Sequence, residues 1–214
     1  MQKKLISVLS FTLMGTSLAI AGGDILPVEN KIIPIYVEDT TQNSGIYIGL
    51  GISDMGLDND LSGETFNATG AMIQAGYQFN NYIAIEGRYT KNIGDLEYAH
   101  GHTNNPDYND YPGDFSNLAI YLKPMYSFNN LSLYALLGYG EVTLTSLPYP
   151  TSTGSVDRAE DGFQWGLGMS YNFTDTLSLF VDYVNVYDDK GFDYRAQNAD
   201  IVSELWTLGV TYRF

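Results

Sequence analysis

Between residues 45 and 214 one pattern returns eight times: apolar side chains at every second position, with small or polar residues between them. Ile46, Ile48, Leu50 and Ile52 open it, interleaved with Tyr47, Gly49 and Gly51. It recurs over 71–79, 83–89, 118–128, 131–139, 163–173, 177–183 and 206–214. Successive side chains of a strand point to opposite faces, so a period of two gives each segment one oily and one polar side. Each segment is near the roughly 9–11 residues that a tilted strand needs to cross a bilayer.

The connections alternate as well. Three are tight: Asn80-Asn81, Asn129-Asn130 and Thr174-Asp175-Thr176. Asn tolerates the positive φ that two-residue hairpin turns require. The stretches 53–67, 91–114, 145–160 and 188–200 are expected to be long polar loops. Short turns at one end and long loops at the other predict an all-β fold, an eight-stranded antiparallel up-and-down barrel.

Alternation does not say which face meets water, because soluble barrels alternate too, with the apolar side inward. Three features point the apolar side outward. Tyr77, Phe79, Tyr126, Phe128, Tyr171, Phe173, Tyr212 and Phe214 lie on the apolar faces at the short-turn ends. Tyr89, Tyr139, Phe163, Trp165, Tyr183 and Trp206 lie nearer the long loops, and two aromatic belts are what two membrane interfaces select. The opposite face is rich in Gly, Ser, Thr and Gln and carries Glu86, Arg88, Lys123, Asp182 and Arg213, whose signs can pair inside a lumen. In lipid, each mid-membrane Arg or Lys would cost roughly 2–4 kcal/mol. The central apolar faces carry no charge; Glu141 and Asn185 fall toward the loop end. A sheet in hydrocarbon must also close, since unpaired edge groups cannot be solvated there.

With these features the chain resembles the bacterial outer-membrane β-barrel family that includes the OmpA transmembrane domain, OmpX and the opacity proteins. The resemblance covers 45–214 and rests on Ile46-Tyr47-Ile48-Gly49-Leu50-Gly51, Ala84-Ile85-Glu86-Gly87-Arg88-Tyr89, Leu136-Leu137-Gly138-Tyr139-Gly140 and the ending Leu208-Gly209-Val210-Thr211-Tyr212-Arg213-Phe214. It implies a transmembrane barrel in the outer membrane, turns in the periplasm and loops outside. Lipopolysaccharide and the barrel-assembly machinery would be partners, with Phe214 and Tyr212 as the assembly signal. The chain departs from OmpA by stopping at Phe214, without a peptidoglycan-binding domain.

The start of the chain reads as an address. Lys3 and Lys4 precede the mostly apolar stretch 5–20 and an Ala19-Ile20-Ala21 site, so 1–21 is expected to be a signal peptide. Residues 22–44 form a lead-in without sustained period, strand-like only over 32–37. Loss of Lys3 and Lys4 takes the formal charge of the 214-residue chain from −15 to −17. That acidity, with a pI near 4.2, argues against nucleic acid as a partner. Zero Cys excludes disulfides, thiolate metal sites and thiol catalysis.

An eight-stranded lumen is just wide enough for side chains to fill. Glu86, Arg88, Lys123, Asp182 and Arg213 are therefore expected to form a packed polar core, with Tyr47, Tyr121, Tyr134 and Phe180. A narrow channel is the alternative use of the same residues. The loops hold most remaining carboxylates, among them Asp54, Asp58, Asp60, Glu64, Asp157 and Asp188, which could hold divalent cations beside lipopolysaccharide. His100 and His102, with Glu97 nearby, lack the supporting groups of a metal centre. The same two His are the chain's only ones, Ser116 and Asp114 are the nearest triad candidates, and no G-x-S-x-G elbow exists. The reading is thus no cofactor, no metal and no catalysis, with a lipid A-modifying enzyme as the least favoured option. The expected role is structural or interactive, through acidic outer loops; a small porin-like channel is the runner-up.

Overall fold

The structure is a computed structural model, and its described residues are 44–59, 63–99, 109–148, 155–189 and 201–214. The chain divides into two units, Met1–Val37 and Glu38–Phe214, and the described residues all belong to the second. The expected signal peptide and lead-in, with 32–37, lie outside the described residues.

Among the described residues there are ten strands: β1 (Gly45–Asn59), β2 (Glu64–Asn80), β3 (Ile83–Asn92), β4 (Leu96–Ala99), β5 (Asn109–Tyr111), β6 (Asp114–Phe128), β7 (Leu131–Pro148), β8 (Ser155–Asn172), β9 (Leu177–Asp189) and β10 (Ile201–Arg213). Eight of them are the staves of one closed antiparallel barrel, in the order β1-β10-β9-β8-β7-β6-β3-β2, with β2 returning to β1. Closure runs from Tyr47 opposite Arg213 to Asn59 opposite Ile201. Among the described residues there is no helix.

The expected outward face is outward. Ile48, Leu50, Ile73, Leu118, Ile120, Leu137, Leu167, Leu208 and Val210 are all exposed. Belts of rings bound this wall. At the short-turn ends a Tyr-x-Phe pair repeats four times with ring centroids 5.1, 4.5, 5.2 and 5.1 Å apart, in edge-on contact (Tyr77–Phe79, Tyr126–Phe128, Tyr171–Phe173, Tyr212–Phe214). At the other end Trp165, Tyr183 and Trp206 form a chain of rings. From Leu131 to Tyr139 the strand rises roughly 26 Å, and a tilt of about 40° brings that to roughly 20 Å, close to the ~25 Å apolar band of such barrels.

The turns follow the chemistry of Asn. Asn129 takes φ 53°, the left-handed value a tight hairpin needs. The first turn is shifted from its expected place: Asn81 and Tyr82 form it, while Asn80 ends β2 and accepts from the Tyr82 and Ile83 amides with its side chain.

Two expected loops, 53–67 and 145–160, are largely strand, and a third, 91–114, is strand in part. β1 and β2 run on to Asn59 and Glu64, so 53–67 is mostly ladder. β7 and β8 pair as far as Pro148 and Ser155. Within 91–114, β4 and β5 form a small hairpin that adds to the upper end of β2, through Phe66 opposite Tyr98. The staves therefore rise well above the apolar wall. Only 188–200 begins and ends close to expectation, between Asp189 and Ile201.

The physical reason is an inversion of the pattern. Above the ring belt the outward positions become polar: Asp54 and Asp58 on β1, Asp114 on β6, Glu141 on β7, Asp157 and Asp161 on β8. The inward positions become apolar: Met55, Leu57, Phe66, Leu96, Phe115, Val142, Leu144, Ile201 and Leu205 pack together, fully buried. The expectation of a lumen face rich in Gly, Ser, Thr and Gln thus holds only for the lower part. Asn185 is corrected as well. One extra residue of β9 faces β10 between Ser203 and Glu204, and this bulge leaves Asn185 buried rather than outward.

Candidate functional site

The lumen is built in layers by strand period alone. Positions two apart share a face, so Glu86 and Arg88 of β3 both point inward, and Arg88 Nε donates to Glu86 Oε1 at 2.5 Å. Arg88 also reaches across the bore. Its Nη1 and Nη2 donate to Asp182 Oδ1 and Oδ2 of β9 at 3.0 and 2.8 Å, a two-pronged pair. In the stave order β9 lies four places from β3 in either direction. This ion pair therefore spans the full diameter of the barrel.

Other groups complete the layer. Lys123 of β6 donates to Glu86 Oε2 at 2.9 Å, and Tyr47 of β1 donates to the same oxygen at 2.7 Å. Tyr134 of β7 donates to Asp182 Oδ2 at 2.7 Å. The Lys123 ammonium also lies 4.1 Å from the centroid of the Tyr134 ring. Each buried charge has an opposite charge and at least one hydrogen bond, the condition under which burial of ions is tolerated. Glycine makes room for the rings: a Cβ on Gly168 would come within 2.5 Å of the Tyr134 ring and 2.6 Å of Asp182 Cβ.

Arg213 is not part of this layer. It sits at the end of β10, in register with Tyr47, and its guanidinium donates to Gln78 Oε1 at 2.6 Å. Four of the five expected ionic residues are thus brought together, and the fifth stands at the short-turn mouth. Tyr212 and Phe214 lie on the outer wall, exposed.

Above the ions lies an amide layer that the sequence reading missed. Gln164 and Asn117 exchange hydrogen bonds of 2.8 and 3.2 Å, and the Tyr121 hydroxyl donates to Gln164. Ser53 and Thr207 bond at 2.9 Å. For Gln164, Asn117 and Thr207 the only signal is inward parity on a recognised strand segment or next to one; Ser53 falls within the expected loop 53–67 and carries none. Above this again is the apolar packing of Met55, Phe115 and Leu144. Below the ions a cavity of about 310 Å³ opens among the short turns.

The loop candidates divide between described and undescribed residues. His100, His102 and Asp60 lie outside the described residues. Glu97 and Ser116 are on β4 and β6. Asp114 pairs with Lys91 at 3.1 Å on the outer surface. Among the described residues no group of three or more His, Asp or Glu is placed to hold a metal ion.

A closed barrel with an apolar wall between two ring belts narrows the possibilities to proteins that cross membranes as strands. The family profile described as "Outer membrane protein beta-barrel domain" matches residues 33–214, most of the chain. The chain belongs to the outer-membrane β-barrel family. No curated protein matches it in sequence. Among solved structures, this outer-membrane barrel is similar to Ail, the attachment invasion locus protein of Yersinia pestis, crystallised with the heparin analogue sucrose octasulfate. The two share 21% identity over 80% of this chain and 99% of that one, with a TM-score of 0.53. OprG from Pseudomonas aeruginosa aligns over 80% and 97% at 12% identity, TM-score 0.56. Neisserial surface protein A aligns over 80% and 98% at 18% identity, TM-score 0.53. Identities this low speak to the fold, and the fold is that of an outer-membrane barrel.

Proposed function

We propose that this outer-membrane barrel is a sealed scaffold that presents its long-loop end at the cell surface, in envelope integrity or adhesion. The observation that carries the reading is the Arg88–Asp182 pair across the bore, capped by an amide layer and an apolar core. A continuous water path would have to cross all three. Conduction past the ions would break a buried pair at roughly 3–5 kcal/mol, and the apolar layer offers permeating ions no polar group. A similar solved barrel is named for attachment and invasion, which agrees with a surface role.

In this reading residues 1–21 direct export and are cut after Ala21, the turns face the periplasm and the loops face outward. Tyr212 and Phe214 are the element the assembly machinery reads. The outward carboxylates Asp54, Asp58, Glu141 and Asp161 stand just above the ring belt, where divalent cations would bridge them to lipopolysaccharide phosphates. The chain is read as non-catalytic.

Two measurements test the proposal. The purified barrel in planar bilayers should give no reproducible single-channel steps; steps that vanish on Arg88 or Lys123 substitution would replace the scaffold with the porin-like alternative. Replacing 100–108 by a Gly-Ser linker should abolish adhesion of expressing cells to host cells without altering barrel folding. Unchanged adhesion removes the loops from the function.

A further inference from the structure

We infer that the cavity at the short-turn mouth is a binding site for a small phosphorylated anion, a phosphomonoester of the size of glycerol phosphate. It is separate from the loops and from the surface role proposed above.

The chain is strongly acidic, yet this cavity of about 310 Å³ is lined by Lys123 and Arg213 and by no carboxylate. Among the residues that line the cavity the charged side chains are Lys123 and Arg213; Asp175, in the third short turn, and the chain-terminal carboxylate of Phe214 lie at the same end of the barrel, and Asp175 and Phe214 are not among the lining residues. Arg88 and Lys123 are held by carboxylates. Arg213 has a neutral amide, Gln78, and no carboxylate partner among the described residues. A half-buried guanidinium without a counter-ion is the feature that an anion completes.

Donors are in surplus around it. Lys123 gives one of its three protons to Glu86. Arg213 gives one of five to Gln78. Thr211 Oγ1 accepts from Gln74 at 3.1 Å and keeps its own proton. Ser132 and Ser127 bond each other, which leaves one hydroxyl proton for a ligand. A phosphate has several acceptor oxygens and no donor of comparable strength, so it matches this lining. A neutral polyol does not.

The cavity is blind. Its floor is Tyr47, Tyr134 and Phe180, all buried, with the ionic layer directly above them. A ligand therefore enters and leaves by the same mouth, in the compartment that the turns face. The volume suits a ligand of a few carbons with one phosphate. The outer wall at this height is a belt of rings facing lipid, so the cavity receives solutes from water and not a bilayer headgroup.

The test uses the full mature chain folded in dodecyl maltoside, which carries no phosphate. Titration calorimetry with sn-glycerol 3-phosphate should show saturable binding at one site, and glycerol should show none. Arg213→Gln should weaken the phosphate by about tenfold or more, the loss expected for a charge-assisted contact. Arg213→Lys should keep part of the affinity, and Lys91→Gln, on the outer surface at the opposite end, should change nothing. Heat-dependent gel mobility establishes that each variant is folded. If Arg213→Gln does not fold, Thr211→Val serves in its place and should also weaken binding. No saturable binding, equal response to glycerol, or equal affinity in every variant overturns the proposal. So does binding that appears only when phospholipid is added.

Discussion

The Asp182 carboxylate shows what a single side chain controls in this lumen. It takes both prongs of Arg88 and the Tyr134 hydroxyl. Asp182→Ala leaves a guanidinium buried with only Glu86 to answer it, and the expected cost is about 3–5 kcal/mol. Urea unfolding from lipid vesicles measures it. Asp182→Asn keeps the shape and one acceptor and should lose less. Gly168 acts through space rather than charge. Gly168→Val puts a branched side chain where the Tyr134 ring and Asp182 stand, so both must move. Its urea midpoint should fall, while Gly162→Val should be tolerated better, because a Cβ on Gly162 meets nothing within 4 Å.

At the level of the strand, the same period of two serves two solvents. Ile120 is outward at mid-wall on β6, and Ile120→Arg should cost roughly 2–4 kcal/mol. Asp114, also outward on β6 but above the belt, already carries a charge that pairs with Lys91. Lower than Asp114, level with Leu118, Glu141 of β7 lies directly opposite Asp161 of β8. Like charges facing across a ladder repel, so Glu141→Lys should raise the unfolding midpoint slightly. An unchanged or lowered midpoint would show that the two carboxylates already share a cation. This is also where sequence reading loses its hold. Within the wall, Ile46, Ile48, Leu50 and Ile52 announce a face because every outward residue is oily. From Asp54 onward the outward residues turn polar and Met55 and Leu57 turn oily, so the period continues with its phase reversed and reads as a polar loop. The ionic residues were readable because charge is scarce on the staves. Which of them meet was not: Arg88 and Asp182 are 94 positions apart, and only the stave order makes them diametric. Gln164 and Asn117 gave no signal beyond parity.

Taken whole, the barrel joins a lipid-facing lower cylinder to an upper one packed like a soluble domain. The apolar interior of the upper part, Met55 through Leu205, stabilises the molecule without help from the bilayer. The barrel in mild detergent should therefore keep its folded gel mobility to higher temperature than a variant with Phe115→Ala and Leu144→Ala, whose cavities should cost about 2–5 kcal/mol each. Amide exchange should be slowest on the staves that carry these residues.

The diametric ion pair also bears on how such a cylinder can come into being. Glu86 and Arg88 enter with the third stave and Asp182 with the next to last, so a partly assembled sheet would hold bare ions against acyl chains. That penalty empties the half-built states, and the bilayer admits the molecule complete or not at all.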